Sequence, residues 1–183
     1  MNPGLMFALY AYKRSSKKDI IDEDIAHWKE ILKLEGTHKE LLIYLLRVKP
    51  EFRNLYYYRI GGIRIISRLM KIFLPPLSSL YIWTQDIGGG LFIQHGFATV
   101  IAANKMGKHC FVNQQVTIGY KGDKAPIIGD NVTVTCGAKI LGGISIGNNV
   151  TVGANSVVVK DVPPDVTVAG IPSKIIRYKE NRQ

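Results

Sequence analysis

The sequence predicts a mainly β chain with a helical N-terminus: an α-helical domain over residues 1–80, then a solenoid of short strands over residues 81–183. Three observations carry this. Aliphatic residues recur every six positions, at Met106, Val112 and Ile118, then at Ile128, Val134, Ile140, Ile146, Val152 and Val158. Fourteen of the 18 glycines fall between residues 88 and 170. Before residue 75 the apolar residues return at helical spacing instead, until Pro75 and Pro76 close the pattern.

The opening "MNPGLMFALYAYKR" is apolar, but its basic residues follow the apolar run and no small-residue cleavage site comes after, so it reads as a poor signal peptide. In "DIIDEDIAHWKEILKLEG", Ile20, Ile21, Ile25, Trp28, Ile31, Leu32 and Leu34 fall mostly on one helical face, with acids early and Gly36 as a stop. "THKELLIYLLRV" opens with Thr37 and Glu40 at capping-box spacing and ends before Pro50. Pro50 suits the first turn of the next helix, "PEFRNLYYYRI", and helix propensity fades at Gly61-Gly62. The window "IGGIRIISRLMKIFLPPLSSLYIW" is broken by Arg64, Arg68, Lys71 and the proline pair, so it does not span a bilayer. It reads as a helix packing its apolar face on a neighbour; its separation of apolar from basic residues is also compatible with peripheral membrane association.

A period of six is neither 2.0 nor 3.6, so no plain strand or helix keeps those positions on one face. It fits a coil in which each six-residue unit is one short strand plus a turn, three units closing a coil. Anchors then stack on those eighteen residues later, through roughly five coils. Ile87 and Ile93 begin the series, and Val100 comes one residue late. Gly129-Asp130-Asn131 and Asn148-Asn149 suit turns that need positive φ. Between Ile118 and Ile128 the register breaks, extruding "GYKGDKAPII", a place where function tends to sit.

Net charge is +10, and residues 1–80 carry 14 Lys/Arg against 8 Asp/Glu. The balance favours anionic partners. With no aromatic single-strand platform and no zinc-finger spacing, nucleic acid is not expected. Two cysteines make no disulfide framework and suit a reduced, cytoplasmic setting.

His95, alone in "GGGLFIQHGFATVI", reads as a packed ring, a ligand or a base. No second His, Cys or acid has ligand spacing, so no metal is expected. The stretches "IGGGLFIQHG", "VNQQVTIG", "GAKILGGISIGNNVTVGANSVVVKDVPP" and "VAGIPSKII" resemble the hexapeptide-repeat acyltransferases, in particular the serine acetyltransferase branch with its polysaccharide O-acetyltransferase relatives. The resemblance covers about residues 86–178. It implies a left-handed parallel β-helix, acetyl-CoA as acyl donor, and a homotrimer with active sites at the seams, pairing of two trimers through the helical half being left open. It makes His95 the catalytic base. It sets Gly119 and Tyr120 at the thioester, Cys136, Gly137 and Ala154 along the pantetheine arm, and Gly170, Pro172 and Lys174 at the far end, with Lys174 and Lys160 as point charges for phosphates.

The chain departs from that branch at the acceptor. The acid before the catalytic histidine is Gln94; the extruded loop has Lys124-Ala125-Pro126 where Arg-His precedes proline; the position of a second acid is Leu80, and Asp86 is the nearest acid. Neutral amides at Gln94, Asn113, Gln114 and Gln115 exchange hydrogen bonds with hydroxyls. The expectation is therefore an O-acetyltransferase acting on a sugar or nucleotide-sugar in polysaccharide assembly, with Asp86, Gln94, Asn113 and Gln115 on the acceptor. Serine O-acetylation and a non-catalytic scaffold stand as alternatives.

Overall fold

A computed structural model describes residues 2–61 and 64–179. Among these described residues, five helices come first. The apolar N-terminal stretch is helix α1 (Pro3–Arg14), capped by the Asn2 side chain, which accepts from the Gly4 N–H at 2.8 Å. Helix α2 (Lys18–Leu32) ends at Lys33 in the left-handed region, where the Leu34 N–H donates to the Lys29 carbonyl. The capping box at Thr37 and Glu40 starts α3 (His38–Val48), and Pro50 starts α4 (Pro50–Arg59). The weakening expected at Gly61-Gly62 falls partly outside the described residues. Helix α5 (Arg64–Phe73) then packs along α1. Among the described residues no helix is long and apolar enough to cross a membrane.

The rest is a left-handed parallel β-helix of five coils. One face of the prism stacks β1 (Leu80–Ile82), β4 (Thr99–Ile101), β7 (Thr117–Gly119), β10 (Lys139–Leu141) and β13 (Val157–Val158). A second stacks β2 (Asp86–Ile87), β5 (Lys105–Met106), β8 (Ile127–Ile128) and β11 (Ser145–Ile146). The third stacks β3 (Phe92–Ile93), β6 (Phe111–Val112), β9 (Thr133–Val134), β12 (Thr151–Val152) and β14 (Val166–Gly170), with β15 (Ser173–Tyr178) antiparallel on its end. The six-residue anchors point inward: Val112, Ile118, Val134, Ile140, Val152 and Val158 are fully buried. Each contributes on the order of 1.5–3 kcal/mol by leaving water.

The register breaks twice, not once. The anchor of β4 is Ile101, fully buried and paired with Ile118, whereas Val100 points outward. The corner between Ile93 and Ile101 is therefore longer than a hexad, and His95 is in it.

The helical half grips the first coil through one buried ion pair. Arg59 donates to both Asp24 carboxylate oxygens, at 2.8 and 3.1 Å, and to the carbonyls of Ile87 and Gly88, each at 2.6 Å. Asp24 also accepts from the N–H groups of Gly90 and Leu91. The Trp28 indole donates to the Leu91 carbonyl at 2.8 Å, and the His27 ring meets that of Gly90. Each nitrogen and oxygen of the two charged groups thereby has a hydrogen-bond partner, which buried charge requires. The approach is so close that a Cβ on Gly89 would fall 2.2 Å from a Glu23 carboxylate oxygen. The 87–91 turn held in this way leads directly into β3 and His95.

Candidate active site

His95 is exposed, at φ 63°, in the corner linking β3 to β4. The Gly96 N–H donates to the Gln94 carbonyl at 2.8 Å and the Phe97 N–H to the His95 carbonyl at 2.7 Å, tightening the turn. Buried Thr99 braces it from below, its hydroxyl donating to the carbonyls of Phe97 (3.2 Å) and Asn113 (3.3 Å). Among the described residues nothing hydrogen-bonds or ion-pairs with the His95 ring. A left-handed, exposed imidazole is not a packed structural ring.

Because successive coils stack, residues far apart in sequence share this corner. Asn113, Gln114 and Gln115 lie in the turn after β6, Cys136 and Gly137 after β9, and Ala154 after β12. The Gln115 N–H donates to the Phe97 carbonyl, that of Gly137 to Gln114, and that of Asn155 to Cys136, so the corners form a ladder. Gly170 joins the column through its N–H, which donates to the Ser156 hydroxyl at 3.1 Å. Pro172 and exposed Lys174 continue from it in the β14–β15 hairpin. At about 4.8 Å per coil, the edge from His95 to Gly170 runs four steps, or ~19 Å. Gly137 sits at φ 72°, and a Cβ there would come within 2.0 Å of the Asn155 amide oxygen, so the edge stays flat at that point.

Beside His95, the Asn113 amide donates to the Gln94 side-chain oxygen at 3.0 Å. The Gln114 side-chain oxygen is buried without a hydrogen-bond partner. Of the two free thiols, Cys136 lies on the edge, half-buried; Cys110 is in the core, where burial pushes its thiol up to about 12.

Three predicted residues lie elsewhere in the chain. Gly119 and Tyr120 are at the end of β7, the next edge round the prism, where the extrusion begins. The extrusion closes on itself through a bridge between Lys121 and Lys124 and lies against Gly142 and Gly143 of the next coil. Asp86 points outward from β2 and pairs with Lys105 at 3.4 Å, so this chain does not bring it to His95. Sequence reasoning missed the Asp24–Arg59 clamp. The signal was present: Asp24 falls on the buried stripe of α2 beside Ile21, Ile25 and Trp28, where a charge needs a partner.

Residues 125–160 match the family model described as bacterial transferase hexapeptide (six repeats). A serine acetyltransferase of Synechococcus elongatus is 46% identical over 139 residues, covering 69% of this chain and 57% of that protein. The chain thus spans a little over half the length of the curated relatives it matches. The crystal structure of Neisseria gonorrhoeae serine acetyltransferase superimposes with a TM-score of 0.70 at 26% identity, covering 94% of this chain and 70% of that one. A serine acetyltransferase in complex with CoA matches with a TM-score of 0.68 at 25% identity, over 91% and 73%.

These likenesses overturn the expected sugar or nucleotide-sugar acceptor and the role in polysaccharide assembly. The relatives are named for serine, and the neutral amides do not outweigh that, since an amide pair hydrogen-bonds a zwitterion as well as a hydroxyl. The six-residue repeat, the helical cap and these matches together place the chain among hexapeptide-repeat proteins of the serine acetyltransferase-like branch.

Proposed function

We propose that the chain is an acetyl-CoA-dependent serine O-acetyltransferase with His95 as its base. The observation that carries this is the position of His95: an exposed imidazole at the head of a continuous prism edge, with Gln94 and Asn113 beside it and a laddered column of turns below. The edge suits an elongated acyl-CoA arm along Cys136, Gly137 and Ala154 toward Gly170, Pro172 and Lys174. Serine is a weak nucleophile until its hydroxyl proton leaves. His95 takes that proton as the oxygen bonds to the thioester carbon. The tetrahedral intermediate then collapses, the carbon–sulfur bond breaks, and the coenzyme A thiolate takes the proton from His95.

The Gln94 side-chain oxygen has two lone pairs. One accepts from Asn113, and the other is available to the serine ammonium. The remaining amide N–H groups of the pair suit the carboxylate. Gly119 and Tyr120 sit one edge away, which favours a site completed at the seam of a homotrimer. A cytoplasmic setting, where acetyl-CoA is available, agrees with this reading.

The test is thiol release from acetyl-CoA with serine. Wild type is expected to turn over, and His95→Ala to lose roughly 10²–10⁴-fold in kcat with its melting temperature retained. Equal rates in the two proteins would sink the assignment of the base.

A further inference from the structure

We propose that the face formed by α5 and β1 docks onto an anionic lipid surface. This goes beyond the catalytic reading and does not depend on it.

The apolar arc of α5 is wider than its packed face. Ile66 and Met70, with Leu74 just after the helix, turn toward the protein, and Met70 and Leu74 are buried. Leu69, Ile72 and Phe73 lie three and four residues apart, so they are neighbours on the helix surface. All three are exposed, Ile72 to 71%. Beside this row run exposed Arg68 and Lys71. Gly4 at the start of α1 lies against Phe73, and α1 leaves Met6 and Tyr10 exposed. On the other side, Lys71 stands over the Tyr57 ring, 5.3 Å from its centroid. It shares a depression of about 290 Å³ with Pro76, Tyr81 and Trp83. The rings of Tyr81 and Trp83 are 5.4 Å apart, and Trp83 is 66% exposed.

Exposed aliphatic side chains in one row, tryptophan and tyrosine at its margin, and cations interleaved are the composition of a protein face at a membrane–water interface. The charge argues against a second copy as occupant. Residues 52–85 hold five Lys/Arg and no acid. A two-fold contact through this face would set its basic patch against a second copy of the same patch. Phosphate headgroups complement them instead, each basic residue near an anionic surface being worth about 1 kcal/mol, or roughly fivefold in binding.

Co-sedimentation of the full chain with vesicles of phosphatidylcholine alone, and of phosphatidylcholine and phosphatidylglycerol at about 7:3, tests this. Trp28 is buried, so a fluorescence blue shift on vesicle addition reports Trp83. The expected result is binding to the anionic vesicles only, with a blue shift. It is lost in Ile72→Glu, weakened about fivefold in Arg68→Gln, and unchanged in Lys105→Glu on the second prism face. These are exposed positions, and an unchanged melting temperature confirms folding. Failure of wild type to bind either vesicle overturns the proposal, as does equal weakening by Lys105→Glu or persistence of binding in Ile72→Glu. A fall in mass by sedimentation equilibrium on Ile72→Glu, without vesicle binding in wild type, assigns the face to contacts between copies.

Discussion

His95, Ala98 and Gln115 all adopt positive φ at one corner of the prism, although none is glycine or asparagine. The coil needs left-handed residues at such turns, and it also takes His109, Asn131, Asn149, Asn155, Asp165 and glycine there. A histidine held in this conformation therefore incurs a local cost of about 1 kcal/mol or more that a glycine would avoid. His95 stands out in the sequence as the candidate base through motif and chemistry, and the structure leaves it exposed at that corner. The partners of the acceptor were less legible. Gln94 and Asn113 were visible as amides, but their mutual hydrogen bond depends on coil stacking, and Asp86 is on another prism face, engaged by Lys105. The pair gives a test of the acceptor itself. Gln94→Glu is isosteric and keeps an oxygen for the Asn113 amide while adding charge toward an ammonium. A charge-assisted bond exceeds a neutral one by about 1 kcal/mol, so KM for serine should fall roughly fivefold. With 3-hydroxypropionate, which lacks the ammonium, KM should rise. Movement of both values in the same direction removes the ammonium from Gln94.

Among the elements, the strands were the most legible, since an inward anchor every six residues leaves little freedom over where each one lies. The exception is informative. The six-residue period points to Val100 as a late anchor, whereas Ile101 fills that role, because the corner holding His95 is longer than a hexad and period alone does not show which strand absorbs the difference. Helix α1 was missed as a helix because its glycine and proline mask the pattern; the buried positions Leu5, Ala8 and Ala11 nevertheless keep helical spacing. The clamp between α2 and α4 was legible on one side only: Asp24 falls on the buried stripe of α2, but its partner Arg59 is 35 residues away. Its energetics are testable. Arg59→Met leaves the Asp24 carboxylate buried without its cation, which should cost about 3–5 kcal/mol. The double variant Asp24→Leu/Arg59→Met removes both charges and should recover part of that loss. Urea denaturation of the wild type, both single variants and the double variant measures the coupling. Additive losses would show that the two side chains do not act as a unit.

The molecule as a whole separates what folds it from what reacts. The core is a column of aliphatic anchors, while the candidate chemistry sits on corners and extrusions that the column does not need. The segment after Ile118 shows this best. Ten positions separate Ile118 from Ile128, four more than the hexad. Lys121 and Lys124 bridge to each other outside the three sheets, and residues 121–124 are exposed. Ala125 is buried, and its carbonyl accepts from the Asn104 side chain at 3.1 Å, so the coil resumes there. Deleting Lys121–Lys124 therefore restores the six-residue period without touching an anchor. Shortening a surface loop costs the fold little, because closure entropy changes slowly with length. The shortened chain should melt within a few degrees of wild type. It should also lose more than tenfold in kcat/KM for acetyl-CoA, because the proposed role of Tyr120 at the thioester of a neighbouring protomer depends on the turn that follows it. Retention of both stability and acetyl-CoA kinetics would make the extrusion an ornament of the coil; loss of both would mean that residues 121–124 belong to the fold itself.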